Sequence, residues 1–412
     1  MSRVLFAWEL GAHLGHLARD LPLARRCRDE GLDVVFAVPD LRTSVGQAGE
    51  ERLSLVQAPL LRPAIQRTTS PVSYADLLLH QGYDDRDALR GALRGWLDLI
   101  DLVQPSVLVF NHAPTALLAA RQAEVPVLLC GTGFEIAPQQ SPLPSLRPWQ
   151  PLPAHVLEQA EAQALSSINA AVMHDGPARL ERLADLFAAE TIHITGFAEL
   201  DPFGPRAQVE YVGPVHKLPQ AKKARWTGGR PRIFAYLRPG VAGCESLLQA
   251  LQDSGADVIC ALPGCPPAWA SRFDRLQLLP HAVELSELLL DADAVVTYGP
   301  GTLASALLAG APVLFVPQML EQLLSGLRLH ALGAGIFLDG ARTPQRCAEA
   351  LQRLLQQPSY RHEARSFARR HAGFDPERAL QKRWKALAAL VERGGQGGAR
   401  VSQTSPTSPG AP

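Results

Sequence analysis

Two stretches of this chain gather residue types that do chemistry. The first is Trp8-Glu9-Leu10-Gly11-Ala12-His13-Leu14-Gly15-His16, where an aliphatic run gives way to a glycine-containing loop and then to a helical pattern. In an open parallel sheet, ligands bind beyond the carboxyl ends of the strands, so this loop would line a crevice, with its glycines letting a substrate approach the backbone. The loop is not a dinucleotide fingerprint, because Ala12 and His13 break the GxGxxG spacing. His16 carries a group whose reference pKa, about 6.5, suits proton abstraction near neutrality. A histidine at a helix start reads equally well as a cap or a satisfied polar residue.

The second stretch runs from Asp293 to Thr302 and on to Gln322. Gly299, Gly301 and Thr302 lie where a strand turns tightly into a helix, which leaves free backbone N–H groups and the positive dipole end available to an anion such as a diphosphate. An ordinary capped turn has the same appearance. Glu321 and Gln322, after the next strand, pair an acidic and an amide group able to bind neighbouring sugar hydroxyls. Arg238, just after an earlier strand, is placed to bond phosphate oxygens, although most arginines at such positions are simply solvated.

The elements that would position these groups alternate. Val4–Trp8 reads as a strand, Leu17–Glu30 as a helix closed by Gly31, and Asp33–Val38 as a strand; Ser106–Phe110, Thr115–Ala123 and Val125–Cys130 repeat the order. Between Ala137 and Pro153 six prolines rule out regular structure, leaving a loop over a binding site or a plain surface excursion. Residues from Phe203 to Arg230 turn polar and glycine-interrupted, as a linker does. The alternation then resumes: Ile233–Leu237, Glu245–Asp253, Val258–Leu262, Ala294–Val296, Thr302–Ala309 and Val313–Val316. The fold class is α/β, with two doubly wound halves.

At 412 residues, 47 % hydrophobic and 19 % charged, the chain has enough apolar material for two or three ordinary domains and is neither a disulfide scaffold nor a disordered polymer. Forty basic residues balance forty acidic ones, so no long-range charge favours nucleic acid. Only five of the basic residues are lysines, a bias that fits a GC-rich genome. The six cysteines are scattered without paired CxxC spacing, consistent with reduced thiols in a cytoplasm. No signal peptide or stretch of roughly 20 apolar residues is evident, so a cytoplasmic protein is expected, with docking on a membrane surface left open. His13, His16 and His112 could converge at two strand ends, but no metal-site spacing accompanies them and no metal is expected.

The segment from Ala294 to Gly335, VVTYGPGTLASALLAGAPVLFVPQMLEQLLSGLRLHALGAG, resembles the donor-binding motif of the nucleotide-sugar-dependent glycosyltransferases of GT-B fold, specifically the bacterial and plant natural-product group of family 1. The amino-terminal GHLARDLPLA resembles the same family's Gly-His start, and the likeness in architecture spans roughly residues 3–390. The resemblance implies two Rossmann-like domains facing a central cleft, with His16 in the position of the general base. It places Glu321 and Gln322 on the donor sugar and Gly299, Gly301 and Thr302 at the diphosphate. The sequence departs from the family pattern at four places: Tyr298 replaces the histidine that opens the turn, the loop is one residue shorter near Pro300, Ser305 replaces the acid that grips the ribose, and Asn111 replaces the aspartate that orients the base. An amide oxygen accepts a hydrogen bond from imidazole but cannot stabilise imidazolium by charge. On that reading Glu9 is a possible substitute carboxylate, and Asn111→Asp should preserve or raise the rate.

These readings combine into an inverting hexosyltransferase that moves a hexose from a nucleoside diphosphate sugar to a hydroxyl of a small-molecule or lipid acceptor, with no metal or other cofactor and no nucleic-acid partner. The expected boundaries are 1–205 for the acceptor domain, 206–217 for a linker, 218–375 for the donor domain, 376–393 for a helix that the resemblance sends back to the amino-terminal domain, and 394–412 for a disordered tail. Catalytic roles are expected of His16 and Asn111, and donor binding of Arg238, Tyr298, Gly299, Gly301, Thr302, Ser305, Glu321 and Gln322. Two rivals stay open: a nucleotide-sugar-binding homologue without turnover, and a sugar-nucleotide epimerase acting at carbon 2.

Overall fold

In the computed structural model, the described residues are 2–11, 15–50, 53–172, 176–215 and 222–401. Short aliphatic runs form strands that are buried on both faces, as parallel strands must be when helices cover each side. Among the described residues they make two all-parallel sheets. The first contains β1 (Arg3–Trp8), β2 (Asp33–Val38), β3 (Ser54–Gln57), β4 (Val107–Asn111), β5 (Val127–Gly131), β6 (Ile192–Ile194) and β7 (Glu210–Tyr211), in the order β3-β2-β1-β4-β5-β6-β7. The second contains β8 (Arg232–Tyr236), β9 (Asp257–Ala261), β10 (Gln277–Leu279), β11 (Ala294–Thr297), β12 (Val313–Phe315) and β13 (Gly335–Phe337), in the order β10-β9-β8-β11-β12-β13.

Each order reverses once, and the reversal dictates where a ligand can enter. The chain winds outward from β1 through β2 to β3, then returns to place β4 on the other side of β1, with Trp8 opposite Asn111. The second sheet reverses between β8 and β11, where Tyr236 stands opposite Thr297. Crevices at such switch points lie beyond the carboxyl ends of the two central strands. His16 and Asn111 meet at the first of these points, and Arg238 and Tyr298 follow the strands that form the second.

The chain divides into two compact units. One takes in the described residues up to Thr195, Arg206–Val215 and those from Pro376 onward, and the other takes in Gly196–Pro205 and the described residues up to Asp375. The division therefore does not fall at a single linker. Residues 206–215 contribute β7 to the first sheet, and Arg206 donates to the carbonyls of Ile136 and Gly133, both at 2.7 Å. Residues 216 and 217, the rest of the expected linker, lie outside the described ones.

The last helix, Pro376–Val401, packs on the Gly15–Asp29 helix and against β4 and β5, burying Leu387 completely and Leu380, Trp384 and Leu390 in part. Each large apolar side chain buried in this way is worth roughly 1.5–3 kcal/mol. The tail was expected from 394, and the helix as described runs to Val401. A Cβ at Gly394 would stand 2.5 Å from the Ser106 carbonyl oxygen. Residues 402–412 lie outside the described ones. The proline-rich segment contains no regular element, as expected, yet it is firmly packed, with Ile136, Ala137, Leu143 and Leu146 buried and the Leu146 N–H bonded to the Val72 carbonyl at 2.8 Å.

Candidate active site

His16 sits in the first turn of the Gly15–Asp29 helix, with its ring stacked on Trp8 at a centroid separation of 4.9 Å. Its Nδ1 lies 2.8 Å from Asn111 Oδ1 at the end of β4. The other end of the Asn111 amide fixes the direction of this bond. Asn111 Nδ2 donates to Asp20 Oδ2 at 2.6 Å and to the His16 carbonyl at 3.1 Å, both of which are acceptors only. The amide oxygen must then face His16, so Nδ1 carries the hydrogen and Nε2 keeps its lone pair. Burial lowers the His16 pKa below 6.5, and neighbouring Glu135 opposes but does not reverse that shift. The neutral ring at neutral pH is thus held as a base with Nε2 as the accepting atom.

Around this pair lies a charge cluster that local sequence reading missed. Arg19 grips both Glu135 oxygens through Nη1, at 2.9 and 2.7 Å, and its Nη2 donates to Asn111 Oδ1. Arg383, from the last helix, donates to Asp20 Oδ1 and to the Arg19 carbonyl, each at 3.0 Å. All four charged side chains are at most 3 % exposed. Two cations and two anions cancel, as they must in a dry interior. Burial alone would raise the Glu135 carboxyl, but Arg19, His16 and His112 outweigh it and hold that group at about 2. Burial raises the Asp20 carboxyl against the pull of Arg19 and Arg383. The missed signal lies in LARDLPLA, where six apolar residues flank Arg19 and Asp20 and the whole stretch is buried, so the two charges needed partners.

The expectation for Glu9 is corrected by its contacts. Its two carboxylate oxygens accept the N–H groups of Thr115 and Ala116, at 2.9 and 3.0 Å, and so cap the Pro114–Gln122 helix, which has no capping side chain of its own. Glu9 serves that helix and is not a substitute carboxylate for His16. Burial pushes its pKa up to about 8. His112 follows Asn111 in the left-handed region at φ 48, with its ring centroid 6.4 Å from that of His16 and its Nε2 buried without a partner. His13, the third imidazole considered, lies outside the described residues. Among the described residues no cluster of three or more His, Cys, Asp or Glu is arranged to hold a metal ion, and no helix is long and apolar enough to cross a membrane.

In the second unit, β11 runs through Tyr298 and Gly299 into the Pro300–Leu308 helix, which has no capping side chain. Pro300 has no N–H to offer, and the first-turn N–H groups of Gly301 and Thr302 are those an α-helix leaves without internal acceptors. Tyr298 stacks on Tyr236 with ring centroids 6.0 Å apart. Burial lowers the Arg238 pKa, but the neighbouring Tyr298 and Tyr236 hydroxyls outweigh it and keep the group above its ordinary value, and its Nε is buried without a partner. Ser305 spends its hydroxyl hydrogen on the Gly301 carbonyl at 3.1 Å. Glu321 and Gln322 open the Leu320–Ala331 helix but differ in situation: Glu321 is half-buried, whereas Gln322 is buried and its Oε1 accepts the Gln318 N–H at 2.7 Å. Gln318 in turn accepts the Ala242 N–H at 2.8 Å, tying this loop to the one after β8.

Residues 245–379 match the family of erythromycin biosynthesis protein CIII-like C-terminal domains. Over 394 residues, covering 89 % of this chain and 88 % of the relative, the sequence is 25 % identical to a PGL/p-HBAD biosynthesis glycosyltransferase of Mycobacterium tuberculosis. A PGL/p-HBAD biosynthesis rhamnosyltransferase of Mycobacterium bovis is 31 % identical over 181 residues, 41 % of this chain and 40 % of that one. Among solved structures, the glycosyltransferase VinC in complex with dTDP superposes with a TM-score of 0.68 at 17 % identity, over 95 % of this chain and all of that one. Together with the two doubly wound sheets, these likenesses show an enzyme of GT-B fold that is similar to the family 1 natural-product glycosyltransferases.

Proposed function

We propose that the enzyme is an inverting hexosyltransferase in which His16 Nε2 takes the proton of an acceptor hydroxyl as that oxygen attacks the anomeric carbon of a nucleoside diphosphate sugar. The bond from the anomeric carbon to the diphosphate oxygen breaks, and its electron pair leaves with the nucleotide. The observation that carries this reading is the fixed tautomer of His16: Nδ1 bonded to Asn111, and Nε2 basic and beside the glycine loop. The second unit supplies the matching donor chemistry, with the Gly301 and Thr302 N–H groups and Arg238 stabilising the departing charge.

Glu321 is assigned to the hexose hydroxyls. Gln322 supports it by shaping the loop, because its oxygen is already committed to Gln318. Tyr298 pairs with Arg238 to replace the missing histidine of the turn. The dTDP complex of VinC and the rhamnosyltransferase relative support a deoxyhexose carried on a pyrimidine nucleoside diphosphate. The acceptor is a small molecule or a lipid bearing a free hydroxyl.

The test is thermal denaturation with a panel of dTDP-, UDP- and GDP-sugars, followed by transfer assays with the donor that binds. A ligand at a hundredfold excess over Kd stabilises by about 2.7 kcal/mol, a readable shift in Tm. His16→Ala should abolish transfer while leaving that shift intact. Absence of any shift at millimolar concentrations would remove the donor site and with it the transferase reading.

A further inference from the structure

We infer that Asp20 is a positioning residue that selects the tautomer of His16 through the side-chain amide of Asn111. The inference rests on His16 being the base. Asn111 is an amide with one accepting end and one donating end, and four partners use both. Its oxygen takes the His16 Nδ1 hydrogen and an Arg19 hydrogen, while its nitrogen serves Asp20 Oδ2 and the His16 carbonyl. Arg19, a donor only, and the His16 carbonyl favour the same orientation, and Asp20 adds the charged acceptor that completes it. Arg383 occupies Asp20 Oδ1, leaving Oδ2 to demand a hydrogen from Asn111 at 2.6 Å. Glu135 lies nearest to His16 among the carboxylates, yet its contact with Nδ1 is 3.5 Å and both of its oxygens are committed to Arg19. It contributes charge, whereas Asp20 contributes direction.

An amide at position 111 is therefore suited to the site as built, and the expectation for Asn111→Asp reverses. A carboxylate there would put two buried anionic oxygens about where the 2.6 Å hydrogen bond now lies. Asp20→Asn fails differently. Arg383 would hold the new amide's oxygen, turning its N–H group toward that of Asn111, and we expect Asn111 to rotate against the opposing pull of Arg19 and the His16 carbonyl and to offer hydrogens to His16 Nδ1. The ring would then carry its proton on Nε2, where no proton can be accepted. Exchanging the two residues in Asn111→Asp with Asp20→Asn restores a consistent pattern, since the new amide accepts from Arg383 and donates to the new carboxylate, which accepts from His16.

The experiment is the four-member cycle of wild type, Asp20→Asn, Asn111→Asp and the double exchange, read by kcat against pH and by 15N shifts of labelled histidine. Expected are a kcat loss of about a hundredfold or more in Asp20→Asn, with donor-induced Tm shifts unchanged and His16 converted to the Nε2–H form. Asn111→Asp should lose rate as pH rises and the paired carboxylates lose a shared proton. The double exchange should regain all but about tenfold of the wild-type rate and the Nδ1–H form. A wild-type kcat in Asp20→Asn, or a double exchange no better than that single variant, would overturn the inference. Should His16→Ala retain transfer, the base assignment fails, while the histidine spectra still report independently whether Asp20 sets the tautomer.

Discussion

Gly11 lies directly against Nε2 of His16: a Cβ on Gly11 would run into that atom, and the residue adopts φ +91, where side chains are strained. Gly11→Ala is thus expected to displace the imidazole and to cost more than about 1 kcal/mol of stability. Transfer should fall steeply while donor-induced stabilisation is retained, as denaturation and initial-rate measurements on the one variant will show.

The acid limb of kcat/KM reports the free enzyme's base. Burial moves His16 below 6.5, so the acid limb should be centred below that value, where the ring gains a proton. Glu135→Gln removes the strongest influence raising that pKa and should move the limb further toward acid; a limb centred above 6.5 in the wild type would contradict the assignment.

Glu9 gives stability a slope of the opposite kind. In the unfolded chain its carboxyl releases its proton near 4.5, whereas in the fold it holds it to about 8. The native state therefore binds more protons across that window, and stability contributed by this group is lost as pH rises through it. Glu9→Gln, which cannot titrate, should lack this slope in urea unfolding between pH 5 and 8.

At the donor site the structure separates residues that the sequence groups together. Glu321→Ala should weaken binding of a nucleotide sugar more than that of the bare nucleoside diphosphate. Ser305→Ala removes a hydroxyl whose hydrogen is spent within its helix and should change nucleotide affinity by less than about twofold. Calorimetric titration of the two variants with dTDP and a dTDP-hexose distinguishes these roles.

Arg383 is fully buried against Asp20, and Arg383→Met strips a dry carboxylate of its partner. Breaking such a pair costs about 3–5 kcal/mol. A melting temperature within a degree of wild type would show that Asp20 finds another cation.

The long strands and the donor turn were legible because their signals are local. An aliphatic run such as Val4–Trp8, or a glycine turn entering a helix at Pro300, declares itself within ten residues. β6, β7, β10 and β13 are two or three residues long, too short for a period to show. The machinery around His16 is tertiary: Asn111 meets Asp20 across 91 positions, and Arg383 meets the same carboxylate across 363. No spacing rule reaches that far, and Glu9, the nearest carboxylate in sequence, turned out to serve a helix end.

The last helix has a consequence for biosynthesis. Its residues emerge from the ribosome after the whole second unit, yet Leu387 and Arg383 complete the interior of the unit made first. The first unit must wait, incomplete and with Asp20 unpaired by Arg383, while the later unit is translated and free to fold. Maturation of this enzyme thus runs against the usual amino-terminal-first order, and a stop codon only a few dozen residues from the end would damage the beginning of the protein.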